Sequence, residues 1–305
     1  MKILVTGGMG LIGHNVVSRL EDLDHEVLIV DNMTTYGIIP QDELDYLIEE
    51  RVKKIYSVCQ WHNIANRGAI EHIFDTFEPE IVIHLASFPR QKVVNSDPAL
   101  GARTMMEGLL NLCEASKKHG VKKFVYISSS MVYGDFTDDV TEDAVCNPQG
   151  QYGIMKLAGE WLVKDYSRKG DFSHTIIRPS AVYGPLDVED RVISKFMLTA
   201  MQGGTLCVNG PTETLDFTYV DDAADGIVAA ALSDNTDNKT YNITKSHSRT
   251  LLEAAELAVK LAGKGYINVR GRDLDFPSRG ALNIDAARRD FGFNPKVDVE
   301  EGFQI

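Results

Sequence analysis

Short apolar runs alternate with stretches of helical spacing along the first 180 residues. Continuous apolar runs, typical of strands that are covered on both faces, occupy residues 2–5, 26–30, 80–86, 123–127 and 174–177. A further strand is predicted within 52–58. Apolar residues three and four apart predict helices at 14–20, 68–77, 98–118 and 152–166. This alternation predicts an α/β fold with a mainly parallel sheet. His84, inside one strand run, is predicted to be a packed core residue rather than a ligand.

The pattern loosens after residue 180. It predicts short strands near 206–208 and 241–243, helices at 193–201, 251–262 and 285–291, and a helix to residue 232 that the stretch 216–222 opens. No internal repeat or disordered linker separates this part, so we expect it to pack on the first as a smaller mixed α/β carboxyl-terminal region. We therefore assign 1–180, with later returns near 216–245, to one domain, and 181–215 with 246–305 to a second region.

Composition narrows the classes of function. The net charge of −13 over 305 residues argues against a general binder of nucleic acids or acidic membranes, because phosphate backbones attract basic surfaces. The four cysteines lack Cys-x-x-Cys spacing, which fits a reducing compartment and gives no framework for a metal. The apolar runs are too short to span a bilayer, and no signal peptide is recognised. We expect a cytoplasmic protein with no membrane and no nucleic-acid partner.

A glycine-rich turn follows the first predicted strand. Gly7, Gly10 and Gly13 have the spacing that allows a tight turn, close approach of the backbone to a pyrophosphate, and close packing of helix on strand. The second strand ends at Asp31 and Asn32, where an acidic residue would hold the ribose hydroxyls of a dinucleotide and repel a 2′-phosphate. The sequence therefore predicts a Rossmann-type doubly wound parallel sheet that binds NAD rather than NADP.

Hydroxyl groups and a Tyr/Lys pair supply candidate chemistry. Ser128, Ser129 and Ser130 follow a buried strand, and the carboxyl ends of parallel strands face the crevice where ligands bind. Tyr152 and Lys156 are four residues apart in a predicted helix, so the ammonium would lie beside the phenol and favour its ionised form. Taken alone, this spacing also arises by chance, and three serines also form ordinary polar loops.

Several motifs in order resemble one family. They are Thr6-Gly7-Gly8-Met9-Gly10-Leu11-Ile12-Gly13, Asp31-Asn32, His84-Leu85-Ala86, Ser128-Ser129-Ser130 with Val132-Tyr133-Gly134, Tyr152 with Lys156, Arg178-Pro179 with Val182-Tyr183-Gly184-Pro185, and Asp216-Phe217 with Val220-Asp221-Asp222. Together, over residues 2–302, they resemble the extended short-chain dehydrogenase/reductase family, in its nucleotide-sugar branch typified by UDP-glucose 4-epimerase.

The resemblance implies NAD as the cofactor and a nucleotide-diphosphate sugar as the substrate, with a UDP-sugar as the leading expectation. It implies that Tyr152 takes a proton from a sugar hydroxyl, that Lys156 binds the nicotinamide ribose and, with the positive charge of the cofactor, keeps the phenol acidic, and that Ser129 shares the proton. Substrate contacts are expected from Ser129, Ser130 and Arg279. Cofactor contacts are expected from Gly7, Gly10, Leu11, Ile12, Gly13, Asp31, Asn32, Leu85, Ala86, Ser87, Ser128, Tyr152, Lys156 and Pro179.

The residues after Ser129 distinguish the reactions of the family. Family dehydratases place Asp-Glu directly after this position, and decarboxylating members place a Glu two residues after it. This chain has Ser130 and Met131 there. Without a carboxylate, the simplest reaction is epimerisation at C4 through a transient 4-keto sugar. The alternatives are an NAD-dependent nucleotide-sugar dehydratase or oxidoreductase, and a catalytically weak NAD-binding protein.

The chain also departs from the family pattern. Ala181 and Leu215 stand where many relatives have Asn and Arg, and both of those family residues usually contact the substrate. Met105 stands where relatives often have Asn. The run Ser57-Val58-Cys59-Gln60 lacks the usual Gly-Asp after the third strand. Ala181 and Leu215 imply a rearranged site for the substrate's diphosphate. Met105 and the run 57–60 weaken the expected contacts with the adenine of the cofactor, but they leave the glycine turn intact.

Three arginines could supply charge to the diphosphate: Arg279 first, then Arg270 and Arg272, because guanidinium groups match phosphate oxygens. Family members commonly form homodimers through the helices before and after the serine strand. Here the residues for such a face would be Met105, Leu109, Leu112, Leu157, Trp161 and Tyr166, although the same residues could form core within one chain.

Overall fold

The structure is a computed structural model that describes residues 1–34, 39–88 and 91–304. The strands in chain order are β1 Lys2–Thr6, β2 Glu26–Asp31, β3 Val58–Trp61, β4 Ile81–His84, β5 Lys123–Ile127, β6 Ser173–Pro179, β7 Val182–Tyr183, β8 Thr205–Asn209, β9 Thr214–Asp216, β10 Thr218–Tyr219, β11 Lys239–Ile243, β12 Ser248–Thr250 and β13 Tyr266–Arg270. The helices are α1 Leu11–Asp22, α2 Gln41–Val52, α3 Arg67–Phe77, α4 Gln91–Ser96, α5 Pro98–Ala102, α6 Gly108–His119, α7 Gly150–Arg168, α8 Val192–Met201, α9 Val220–Leu232, α10 Leu251–Ala262, α11 Asp285–Phe291 and α12 Val299–Gly302.

Seven parallel strands form the main sheet in the order β11-β6-β5-β4-β1-β2-β3. Because successive strand residues point to opposite faces, Ile3 and Val5 pack with α1 and α9, whereas Leu4 packs with α3 and α6 on the other side. The strand order reverses between β1 and β4, which opens a crevice at their carboxyl ends. This confirms the predicted Rossmann-type doubly wound sheet.

A smaller mixed α/β region follows, as predicted. Three two-stranded sheets pair β7 with β10, β9 with β12, and β8 with β13. Helices α8 and α10 pack together over a core that includes Phe196, Leu206 and Ala255. Strand β13 was not predicted, because its apolar residues Tyr266 and Val269 are exposed and leave no buried pattern to detect.

The third strand was predicted too early in the chain. Val52 is the last residue of α2, a helix that the sequence pattern did not predict, and β3 begins only at Val58. Strand β3 is the edge of the sheet, with Val58 and Trp61 exposed. An edge strand needs no continuous apolar run, so the pattern that located the central strands does not apply to it.

The helix predicted at 98–118 is interrupted. It begins at Pro98, where the Asp97 side chain accepts a hydrogen bond from the Leu100 N–H at 3.0 Å. A π-helical turn then occupies Arg103–Glu107 before α6 continues to His119. In the parts of the chain that the structure describes, no helix has both the length and the apolar content needed to cross a membrane.

Candidate active site

The glycine turn lies between β1 and α1 and is built for close backbone approach. Gly7 has φ +74°, and a Cβ there would lie 2.6 Å from the Ala86 nitrogen. A Cβ on Gly13 would lie 2.1 Å from the Gly7 oxygen. Helix α1 starts one residue after Gly10, which has no side chain to cap the first N–H groups. The turn and the free helix amino end fit a pyrophosphate, so the residues present fit a dinucleotide.

Asp31 lies at the carboxyl end of β2, beside this turn. Its carboxylate accepts hydrogen bonds from the Met9 N–H at 3.0 Å and the Met33 N–H at 2.8 Å. Burial raises the pKa of Asp31, while these bonds and the charge of Arg51 oppose that shift. The carboxylate is therefore held in one position at the cavity wall, where the sequence placed a ribose contact.

Arg51 was missed because α2 was not predicted. Its Nη1 donates to the Met9 carbonyl at 2.8 Å and its Nη2 to the Leu186 carbonyl at 2.6 Å. It thus joins the glycine turn to the loop before α8. The corrected third strand also moves the residues that follow it: His62 and Asn63 line the cavity after β3, instead of the run 57–60.

One cavity of about 910 Å³ contains the whole predicted set, at the upper end of the range of roughly 300–1,000 Å³ for small-molecule sites. From the first domain its wall includes Gly7, Gly10, Leu11, Ile12, Gly13, Asp31, Asn32, Leu85, Ala86, Ser87, Ser128, Ser129, Ser130, Tyr152 and Lys156. Pro179 and Arg279 complete the predicted residues. His84 lies behind the wall as a core residue, buried and hydrogen-bonded to the Thr6 hydroxyl at 2.7 Å.

Tyr152, Ser129 and Lys156 meet at the carboxyl end of β5. The Tyr152 hydroxyl is hydrogen-bonded to the Ser129 side chain. Lys156 Nζ lies 5.9 Å from the centroid of the Tyr152 ring and donates to the Ile127 carbonyl at 2.7 Å. The proton-sharing group, the phenol and the ammonium are therefore adjacent, as the helical spacing predicted.

Burial dominates the acidity of both groups in the protein by itself. It raises the pKa of Tyr152, and the opposing effects of Ser129 and of the Arg191 charge do not overcome it. It also lowers the pKa of Lys156 to about 7, against the raising effect of Glu160. The expectation of an acidic phenol includes the positive charge of bound NAD, so it stays a prediction for the protein with its cofactor.

Ser130 and Met131 follow Ser129 as a short buried turn. The Ser130 hydroxyl lies 3.2 Å from the Ser180 hydroxyl, so it is bonded within the cavity wall. The Met131 N–H donates to the Ser129 Oγ at 3.2 Å. Neither position carries an ionisable group, so Tyr152 is the titratable side chain that contacts Ser129.

The arginines predicted for the diphosphate divide into two groups. Arg279 and Arg270 line the cavity, whereas Arg272 pairs with Glu213 at 3.6 Å and donates to the Phe276 carbonyl at 2.9 Å. Among the residues that the structure describes, the buried Nε of Arg279 has no hydrogen-bond partner.

Arg191, immediately before α8, was missed because it belongs to none of the sequence motifs. It lines the same cavity, and its charge reaches both Tyr152 and Arg279. Burial and the charge of Arg191 lower the pKa of Arg279 to about 10. Two guanidinium groups that repel each other across one cavity form a site suited to an anion.

The departures from the family pattern have local explanations. Ala181 has φ +36°, a left-handed backbone that Asn adopts more readily than Ala. Leu215 is buried in the core of the second region. Met105 belongs to a buried cluster with Phe88, against which the Tyr152 ring packs.

Comparisons with known proteins agree with this geometry. The model of the NAD dependent epimerase/dehydratase family matches residues 3–244. The chain is similar to a UDP-glucuronic acid 4-epimerase from Bacillus cereus solved with UDP-glucuronic acid and NAD, with 26% identity, a TM-score of 0.91, and coverage of 100% of this chain and 97% of that one. It is also similar to UDP-glucose 4-epimerase from Thermotoga maritima solved with UDP-glucose, with 28% identity, a TM-score of 0.88, and coverage of 100% and 96%. UDP-glucuronic acid decarboxylase 6 of Arabidopsis thaliana is 30% identical over 321 residues, which cover 100% of this chain and 87% of the relative.

Proposed function

We propose that this chain, which belongs to the NAD dependent epimerase/dehydratase family, epimerises a nucleotide-diphosphate sugar at C4. The observation that carries the proposal is the contact of Tyr152 with Ser129 and Lys156, next to two positions, Ser130 and Met131, that have no carboxylate. A dehydratase or decarboxylase needs an added acid or base at that place. Epimerisation removes a hydride from C4 and returns it to the same carbon, which needs no added acid or base.

In this mechanism Tyr152 takes the proton of the sugar hydroxyl and later returns it, with Ser129 holding the same hydroxyl. Lys156 orients the cofactor ribose and supplies a positive charge beside the phenol. When bound, NAD would accept a hydride from C4 and return it, so that the sugar passes through a 4-keto form. Residues 1–180, with returns near 216–245, hold the cofactor, and residues 181–215 and 246–305 hold the sugar nucleotide.

The direct test is to incubate the protein with UDP-glucose, UDP-glucuronic acid and UDP-N-acetylglucosamine, and to read the epimer ratio by NMR. We expect one substrate to reach a stable mixture of C4 epimers without net formation of NADH. Loss of water or carbon dioxide from a substrate, or a steady rise in NADH absorbance, would contradict epimerisation and identify one of the alternative reactions.

Arg279 is proposed to bind the diphosphate together with Arg191, in place of the arginine that relatives carry at position 215. For Arg279→Gln we expect the KM for the sugar nucleotide, and the inhibition constant of UDP, to rise about 10- to 100-fold, since a hydrogen bond to a charged group contributes about 1.5–3 kcal/mol. NAD affinity should not change, because Arg279 is not part of the glycine turn. Titration of UDP into the protein measures this without turnover.

The control for this variant is Arg288→Gln. Arg288 lies on α11, half exposed, beside Asp285 at 3.4 Å, and it is not part of the cavity wall. The two variants remove the same charge, so an equal loss of UDP affinity in both would show a general effect of net charge and would remove Arg279 from the site.

We also propose a homodimer through the outer faces of α6 and α7. Met105, Leu109 and Leu112 do not contribute to this face, since they are buried within the chain. The support comes from Leu110 on α6, and from Ile154 and Trp161, which lie two turns apart on one side of α7; all three are exposed. Light scattering should give twice the chain mass, and Trp161→Arg should give the mass of one chain with its fold retained.

A further inference from the structure

Glu160 is a buried carboxylate on the catalytic helix that the mechanism above does not use. It lies one turn after Lys156 on α7, and its side chain has no solvent exposure. Its Oε1 accepts a hydrogen bond from the Ser128 hydroxyl at 2.6 Å. Ser128 directly precedes Ser129, so this bond connects the helix of Tyr152 to the backbone that carries the proton-sharing serine.

Lys156 and Glu160 hold the same strand end. Lys156 Nζ donates to the Ile127 carbonyl at 2.7 Å, and Glu160 accepts from the next residue, Ser128. Two side chains one helical turn apart therefore bind two successive residues, the last of β5 and the one that follows it. The position of Ser129 relative to Tyr152 depends on both bonds.

The charge of Glu160 is fixed by Arg178 on β6. The guanidinium donates to Glu160 through Nε at 2.9 Å and Nη2 at 2.7 Å. Its Nη1 donates to the Tyr133 hydroxyl at 2.8 Å and to the Glu142 carbonyl at 3.0 Å. Although burial opposes the charged form, the bonds to Glu160 raise the pKa of Arg178. Two hydrogen bonds from one guanidinium thus hold the Glu160 side chain in an enclosed position.

The far side of this network reaches the second region. The Tyr133 hydroxyl donates to Asn242 Oδ1 at 2.8 Å, and Asn242 Nδ2 donates to the Asn283 carbonyl at 3.0 Å. Asn283 follows Arg279 closely in the chain, and the carbonyl of Arg279 is itself bound by Thr214. These hydrogen bonds therefore connect the catalytic helix, through Arg178 and Tyr133, to Asn283 in the segment that follows Arg279.

We propose that Glu160 is a positioning residue of the active site, which holds Ser129 against Tyr152 through Ser128 and places a negative charge one helical turn from Lys156. The proposal rests on the proposed function only for the roles of Tyr152, Ser129 and Lys156. The bonds of Glu160 belong to the protein itself and can be measured without turnover.

The electrostatic surroundings explain the second part of the role. The titratable or charged groups that face Glu160 are Arg178 and His174 on β6, Tyr126 on β5, Cys146 in the loop before α7, and Lys164 on its own helix. Lys156 faces Tyr126, Tyr152 and Glu160, and its charge also reaches His84 on β4. Glu160 is the group that opposes the effect of burial on the Lys156 pKa.

The test uses Glu160→Gln, which keeps the shape and the acceptor oxygen but removes the charge. Competitive acetylation of the whole protein over a pH series, read by mass spectrometry, gives the midpoint of the Lys156 titration. We expect that midpoint to fall by about one pH unit, because Glu160→Gln removes a negative charge one helical turn from the ammonium. With substrate and NAD, the alkaline limb of the pH–rate profile should move down by the same amount.

Asp165→Asn is the matched control. Asp165 lies on the same helix, but it is partly exposed and pairs with Lys169. It should leave the Lys156 midpoint and the alkaline limb unchanged. A folded Glu160→Gln protein with the Lys156 midpoint of the wild type would overturn the proposal, and so would an equal shift in Asp165→Asn. A wild type without epimerase activity would overturn only the proposed function.

Ser128→Ala is the second variant, for the case in which Glu160→Gln does not fold because Arg178 is left without a counter-charge. It removes the hydroxyl that Glu160 binds and keeps every charge. We expect kcat to fall about tenfold with little change in KM, since a small displacement of Ser129 acts on the reacting geometry. The alkaline limb should stay in place. A Ser128→Ala protein with the kcat of the wild type would also overturn the proposal.

Discussion

Tyr152→Phe is expected to lower kcat about 10²- to 10⁴-fold, the usual contribution of a positioned acid/base group. The ring packs with Met105 and Met155, so a phenylalanine fills the same space and only the hydroxyl is lost. NAD content and UDP affinity should remain those of the wild type. Initial rates of epimer formation, followed by NMR or a coupled assay, give the change in kcat, and thermal unfolding checks the fold.

Tyr126→Phe is the matched control for this prediction. Tyr126 also lies beside Lys156, with Nζ 5.4 Å from its ring centroid, but its hydroxyl donates to the Lys156 carbonyl at 3.4 Å and not into the cavity. We expect at most a few-fold loss of kcat. A Tyr152→Phe enzyme within a few-fold of the wild type would contradict the assignment of Tyr152 as the base.

Gly7→Ala is expected to abolish the copurification of NAD and to destabilise the fold by about 2–4 kcal/mol. About 1 kcal/mol comes from the positive φ, and the rest from the contact of the new Cβ with the Ala86 backbone at 2.6 Å. The displaced turn would no longer present its N–H groups to a pyrophosphate. Urea unfolding measures the stability, and chromatography of the released nucleotide measures the bound NAD.

Gly120→Ala separates the cost of the positive φ from the cost of the Cβ contact with a neighbouring strand end. Gly120 has φ +67°, like Gly7, but a Cβ there would have nothing within 4 Å. It should cost only about 1 kcal/mol and leave NAD bound. If both variants lose the same stability and both keep NAD, the close approach of Gly7 to Ala86 has no role in cofactor binding.

The sequence predicted the parts of the site that local patterns encode. Buried central strands produce continuous apolar runs, and a tight turn against a neighbouring strand requires glycine, so Gly7 and the ends of β2, β4 and β5 could be located. The spacing of Tyr152 and Lys156 also predicts their contact, because one helical turn separates them. These features depend on short stretches of chain, which is why a single sequence suffices to find them.

The rest depends on contacts between distant segments. Arg51 lies on a helix with few buried residues, and Arg191 lies in a loop; neither belongs to a repeated spacing. Because β3 is an edge strand, it has no continuous apolar run, and the sequence pattern placed the third strand too early in the chain. The raised pKa of Tyr152 in the protein by itself was not predicted either, because the burial that causes it follows from tertiary packing.

The backbone at Ala181 shows what a departure from a motif can mean. From the sequence it was a missing substrate contact. In the structure it is also a left-handed residue, at φ +36°, that has no side-chain oxygen to stabilise the turn. The strand β7 starts at the next residue, so this conformation is imposed by the sheet that joins β7 to β10.

The last strand of the main sheet has a consequence for how the protein is made. Strand β11 pairs with β6, and α9 packs on α1, although α9 and β11 follow more than 200 residues after the start of the chain. During synthesis the glycine turn and its helix therefore emerge long before the segment that covers them. The parallel sheet is therefore complete only once residue 243 has been made, and pairing between such distant segments is slow to form.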